Sequence, residues 1–271
     1  MKKPLSNWSF DRVKQERIFT IFLFLGLVLV AFVFITLGNM FYQQLEDISG
    51  LIAAATDPVV LKAIGISISM ALVSTLVAFF FGVPLAYFLA RKEFTGKSII
   101  EGLVDVPLMI PHVVAGIALY GVFMRHGLIG APLRELGIVI TDAYPGIVIA
   151  MLFMSLPYLV DTAIEGFKEV DPRLENVARS LGASQWKTFR EITFPLAFSS
   201  ILSGAILSWG RAISEFSAVL ILAYHPISAP ILIYEKFTSF GLRASRPISV
   251  LLILICLVIF ILLRVSQRRR K

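Results

Sequence analysis

Hydrophobic positions in this chain come in long blocks, at about 18–38, 60–90, 103–124, 145–166, 196–224 and 247–264. At 1.5 Å per residue each block spans roughly the 30 Å of hydrocarbon in a bilayer. The pattern predicts an all-α integral membrane protein of six transmembrane helices, the second and fifth long enough to be tilted or to run past the bilayer. Six crossings put both termini on one side. A polar leader carrying Lys2, Lys3, Arg12, Lys14 and Arg17 precedes the first block. That block is too long for the apolar part of a secretory signal and no small-x-small cleavage site follows it, so it reads as an uncleaved first helix.

One interval breaks the rhythm. Residues 171–196, DPRLENVARSLGASQWKTFREITFPL, are charged and helix-forming. Asp171 followed by Pro172 is a helix start, and Leu174, Ala178 and Leu181 then share a face. Gly182 ends that helix. Ser184 caps a second short one in which Trp186, Phe189 and Ile192 form a stripe, and Pro195 is expected to close it just before the fifth span. Such a unit either lies at the membrane interface, as amphipathic segments do, or is gripped by something outside the bilayer.

Charged residues are only 16% of the chain, against roughly 25% in soluble domains, and hydrophobic ones 57%. A large soluble core is excluded. Most of the 25 Lys and Arg fall in the leader, the 91–102 loop (Arg91, Lys92, Lys97), the 166–195 loop (Lys168, Arg173, Arg179, Lys187, Arg190) and the tail (Arg264, Arg268, Arg269, Arg270, Lys271). The positive-inside rule then places both termini and the 171–196 insert in the cytoplasm, in a multi-pass protein of the cell membrane. The net charge of +7 follows from this topology and from contact with anionic lipid, and is no evidence for nucleic-acid binding. Cys256, the single cysteine, lies inside the last block and reads as a small residue at lipid depth.

Candidate chemistry is sparse. Gly96-Lys97-Ser98 imitates the end of a phosphate-binding loop, but its first glycine would fall on Arg91 and no strand precedes it. There is no metalloprotease or nucleophile-elbow motif and no Cys/His cluster, so no metal site or cofactor is expected. Ionisable groups within spans are functional candidates by default. Arg211 and Glu215, at i,i+4 in the fifth span, form either a structural ion pair or part of a pathway in which Arg211 meets an anion while Glu215 limits how tightly it is held. His112 follows Pro111 in a third span that two prolines should bend, either toward a cavity or as a packing residue. Ser203, Ser208, Ser214 and Ser217 add hydroxyls, equally explained by close helix packing. Asp161 and Glu165 read as interface anchors. No internal repeat relates 18–124 to 145–264, as an inverted-repeat secondary transporter would require, and no pair of catalytic groups on adjacent spans suggests an intramembrane enzyme.

The order Glu175, Ala178, Leu181, Gly182, Ile192, Pro195 resembles the EAA loop of permease subunits of ATP-binding-cassette importers. The PLMIPHVVAGIALYGVF and SWGRAISEFSAVLILA runs are similar to the branch that imports tetrahedral oxoanions, molybdate or tungstate more than phosphate, with sulfate as the alternative. Counting back from Gly182, the family's acidic position falls on Asn176, with Val177 and Ala178 after it, leaving open whether Glu175 substitutes. The resemblance covers roughly 59–265 and implies a type I importer-like permease core there. A leader (1–17), a first helix with its outer loop (18–58) and a basic tail (266–271) complete the chain. It further implies that 171–196 is the ATPase-coupling loop, with Glu175, Asn176, Ala178, Leu181, Gly182, Ala183, Ser184, Trp186, Phe189, Ile192 and Pro195 as its contacts. Arg211, Glu215, Ser214 and His112 then become candidate pathway residues. Expected partners are a second permease copy, two ATPase subunits that bind ATP and Mg, an external oxoanion-binding protein and membrane lipid.

Overall fold

The computed structural model describes residues 7–268, with side chains from 18 to 265. The basic side chains of the leader, and those of the tail beyond Val265, lie outside the described residues. Every described regular element is helical: α1 (Asn7–Leu45), α2 (Ile48–Thr56), α3 (Pro58–Arg91), α4 (Lys97–Met109), α5 (His112–Phe123), α6 (Gly130–Glu135), α7 (Tyr144–Lys168), α8 (Pro172–Ser180), α9 (Gln185–Thr188), a π-helical turn (Phe189–Thr193), α10 (Phe194–Ile213), α11 (Ser217–Leu222), α12 (Ala229–Phe240) and α13 (Leu242–Arg268). The chain divides into two compact units, one ending at Ile52 and the other beginning at Ala53.

Among the described residues five helical stretches are long and apolar enough to cross a membrane, or six if α4 and α5 together count as one. Three boundaries differ from the sequence reading. The third block bends at its prolines as expected, but as a break: α4 and α5 meet at 114° across Ile110 and Pro111. Pro107 sits inside α4 without ending it, whereas Pro111 holds its predecessor in extended backbone and forces the break. The fifth block ends early, because α10 stops at Ile213 and α11 is a separate short helix.

The third difference concerns Pro195, which does not close the helix begun at Gln185. The chain runs on as one 29-residue stretch, Gln185–Ile213. Proline removes one N–H and crowds the carbonyl four residues back. Here the preceding turn widens to π geometry, and the Phe194 N–H reaches the Phe189 carbonyl, so the obstruction is absorbed as one extra residue in a turn.

Within the larger unit α7 is the central helix, packed against α3 on one side and α10 on another. Glycines set the approach. A Cβ at Gly204 would lie 2.9 Å from Thr162 Cβ and 3.1 Å from the Leu159 carbonyl, and one at Gly82 would lie 3.0 Å from Val160 Cγ2. The core is divided along the bundle. One cluster gathers Ile147, Met151, Met154, Trp209, Val219 and Leu222, and a second gathers Leu89, Leu159, Val160, Phe167 and Ile201 near the loop that carries α8. α12 buries Ala229, Ile231 and Leu232.

Candidate functional site

The 171–196 segment is a built structure. Asp171 accepts a hydrogen bond from the Arg173 N–H at 2.9 Å and starts α8 with Pro172. Gly182 has φ +90°, the left-handed conformation that ends a helix, and it turns the chain so that Ser184 caps α9 through the Lys187 N–H at 3.2 Å.

The apolar residues of this unit divide into two sets. Phe189 turns inward, its ring 4.8 Å from Tyr87 and 6.1 Å from Phe167. Leu174, Val177, Leu181 and Trp186 are left exposed, Leu181 at 83% and Trp186 at 69%. Trp186 stacks on Phe189, centroid to centroid 5.6 Å, so an outward aromatic is fixed in place by an inward one. Ala178, Leu181, Gly182, Ala183 and Ile192 line a shallow cavity of about 270 Å³ with Lys187, Thr188 and Glu191 at its polar edge. Pro195 is exposed on α10.

Glu175 is not on the exposed face. Its Oε1 is 2.7 Å from Arg91 Nε and accepts from Thr193 Oγ1 at 3.0 Å, while Arg91 Nη2 donates to the Val170 carbonyl at 2.9 Å. Asn176, at the family's acidic position, is exposed. The carboxylate therefore ties the loop to the bundle.

The other candidates meet where α5 and α11 begin. Glu215 lies in the break after α10, not on the helix with Arg211, yet the two still pair: Arg211 Nη2 to Glu215 Oε2 is 2.8 Å. Glu215 is fully buried, and its Oε1 accepts from the Ala218 N–H at 2.9 Å, satisfying a donor that the helix break leaves free. His112, the first residue of α5, has Nδ1 3.3 Å from Glu215 Oε2 and Nε2 2.9 Å from Arg211 Nη2. Nδ1 is also 3.2 Å from Arg211 Nη2, so the ring lies against both the guanidinium and the carboxylate. Ser214 Oγ donates to the Arg211 carbonyl at 2.9 Å and lies 3.4 Å from Arg211 Nη1. The set is held together by close packing of α5 on α11, where a Cβ at Gly116 would lie 3.0 Å from Ala218 Cα. It contains one cation facing one buried anion, with His112 half exposed at its edge.

The model of binding-protein-dependent transport system inner membrane components matches residues 82–271, which include both the loop and the Arg211 cluster. The chain belongs to this family. The molybdate/tungstate transport system permease protein of Thermococcus kodakarensis is 47% identical over 252 residues, covering 92% of this chain and 97% of that one. A probable sulfate transport system permease protein of Chlorokybus atmophyticus is 32% identical over 239 residues, 82% of this chain and 84% of the relative. In fold, a chain from a bacterial ABC transporter that imports the acidic polysaccharide alginate superposes with a TM-score of 0.74 at 16% identity, over 95% of this chain and 99% of that one.

In this permease the structure brings all four pathway candidates into one cluster, and it separates the loop candidates into outward and inward sets. Sequence reasoning missed Arg91 and Thr193 as partners of Glu175, and the Val170 carbonyl as the second acceptor for Arg91. Arg91 is 84 residues from Glu175 in sequence, and no local signal joins them. It also left out Val177, whose exposure completes the Leu174–Leu181 stripe.

Proposed function

We propose that the chain is the permease subunit of an ATP-driven importer of a tetrahedral oxoanion, molybdate or tungstate, working as a homodimer in the cell membrane. Both termini and the 171–196 loop face the cytoplasm. The observation that carries the coupling half of this reading is the loop itself: an exposed apolar stripe with a stacked tryptophan, on short capped helices braced against the bundle. A free helix of such composition would bury that stripe, and here it is held out for a partner. Sequence identity of 47% to a molybdate/tungstate permease supports the substrate.

The mechanism is alternating access. ATP, with Mg, binds to two separate ATPase subunits docked on the two loops and draws them together; the loops move with them, and the spans rotate to open the pathway outward. An external binding protein delivers the oxoanion, and hydrolysis reverses the motion. Within the pathway Arg211 offers positive charge to the dianion, Ser214 and His112 offer hydrogen bonds, and Glu215 is an internal competitor for the same guanidinium. Binding stays weak enough for release because the anion must displace a carboxylate already seated at 2.8 Å.

The test is reconstitution of the permease with its ATPase and binding protein in proteoliposomes. Uptake of molybdate or tungstate should require internal or external ATP on the loop side and should fail without the ATPase. Uptake of oxoanion by the permease alone under an ion gradient would overturn the reading. Preferred uptake of sulfate would move the substrate to the sulfate branch and leave the coupling intact.

A further inference from the structure

The carboxylate of Glu175 joins three elements that are distant in sequence. Arg91 is the last residue of α3, Glu175 lies in the first turns of α8, and Thr193 ends the π turn that leads into α10. Arg91 and Glu175 side chains are each 12% exposed and Thr193 is fully buried. A second bond, from Arg91 to the Val170 carbonyl, fixes the guanidinium across the α7–α8 connection. α8 has no fully buried residue of its own. Its attachment to the bundle therefore depends heavily on this single acceptor.

We infer that Glu175 is the positioning residue that transmits movement of the loop into the membrane spans, through Arg91 to α3 and through Thr193 to α10, and does not serve as an ATPase contact. This rests on the coupling role proposed for the loop.

Three physical points carry it. A buried ion pair adds little net stability over an apolar contact of the same volume, but it fixes direction, since each donor must stay within hydrogen-bond distance of one oxygen. A displacement of α8 is thus shared by both spans. The second point is the place of contact on α10. Thr193 closes a π turn, an irregularity that within α-helices is frequent at functional sites. From Thr193 to Arg211 the helix continues for about 27 Å at 1.5 Å per residue, so a rotation at its foot arrives at the Arg211–Glu215 pair. The third is the neighbouring aromatic seat. Phe189, in the same π turn, packs on Tyr87 of α3, one turn before Arg91, so polar and apolar contacts link the same two elements.

The experiment uses the assembled complex in proteoliposomes and reads two quantities: ATPase subunits retained on purification, and oxoanion taken up per ATP hydrolysed. Glu175→Gln keeps shape and removes charge; Thr193→Val removes only the hydroxyl. Both variants should keep their ATPase subunits. Uptake per ATP should fall roughly tenfold in Glu175→Gln, which removes the charge from both bonds, and about threefold or more in Thr193→Val, which loses one bond to the carboxylate and keeps the Arg91 pair. Unchanged uptake per ATP in both variants overturns the inference. Loss of the ATPase from Glu175→Gln also overturns it, because the carboxylate would then be a docking contact. If Glu175→Gln does not fold, Thr193→Val decides by the same ratio. A wild-type complex that couples normally beside coupled variants rejects only this inference, whereas a wild type that takes up nothing rejects the transport reading itself.

Discussion

Arg211 and Glu215 allow the pathway reading to be separated from a purely structural ion pair. Glu215 is fully buried and Arg211 is 15% exposed at the side chain. Removing either partner alone leaves the other group buried without its counter-ion, at a cost of up to about 3–5 kcal/mol. In Arg211→Met the orphan carboxylate keeps the Ala218 N–H and His112; in Glu215→Gln the amide meets donors on both sides, since its oxygen cannot face Ala218 and Arg211 together. Replacing both, as Arg211→Met with Glu215→Leu, removes the charges and most of their desolvation penalty, although the Ala218 N–H loses its acceptor at about 1 kcal/mol. The double variant should therefore recover all but about 1–2 kcal/mol of the stability the single variants lose. Thermal unfolding in detergent measures that recovery, and uptake by the reconstituted complex measures function. The pathway reading requires the double variant to be stable and inactive. A double variant that regains both stability and uptake refutes it and leaves the pair as a fastener.

The remaining predictions concern packing and the loop. Gly116→Val forces a Cβ to 3.0 Å from Ala218 Cα and 3.1 Å from Ile221 Cβ, so it should cost about 1–3 kcal/mol and part His112 from Glu215, lowering both the unfolding midpoint and uptake. Trp186→Ala removes an exposed ring and should change stability by less than about 0.5 kcal/mol, while weakening ATPase association about tenfold or more, read by titration of labelled ATPase. At Gly182 an added Cβ meets nothing within 4 Å, so Gly182→Val pays only for φ +90°, about 1–2 kcal/mol confined to the loop. The bundle's unfolding should hardly move and ATPase association should fall; unchanged association would remove the turn from the docking surface.

The helical class and the loop were legible because each rests on a local rule. Apolar block length gives the spans, and Asp171-Pro172, Gly182 and Ser184 mark the ends of α8 and α9 by capping chemistry that needs no tertiary partner. Pro195 misled for an instructive reason. The rule that proline stops a helix concerns α geometry, and a π turn upstream satisfies the same constraint while the helix continues. In the third block the bend at the prolines was legible and its size was not. Pro111 was visible, but a proline bends a helix by an amount set by its surroundings, and here α5 turns through 114° to pack on α11.

The break at residues 214–216 was the hardest to see, since Ile213, Phe216 and Val219 are as apolar as a continuous span would require and neither proline nor glycine intervenes. Ending a helix within an apolar run frees backbone donors that must find acceptors. Glu215 supplies one, with Oε1 on the Ala218 N–H, and so the residue that looked like a partner on a helix face is also the reason the helix can stop there. Both roles fall on one carboxylate. On the proposed pathway, withdrawing Glu215 from Arg211 in favour of an incoming anion would leave its other oxygen capping α11, and the guanidinium would change partners without the break losing its acceptor. A plain ion pair within a continuous helix would lack that second anchor, and its carboxylate would have to find a new site each time the cation was occupied.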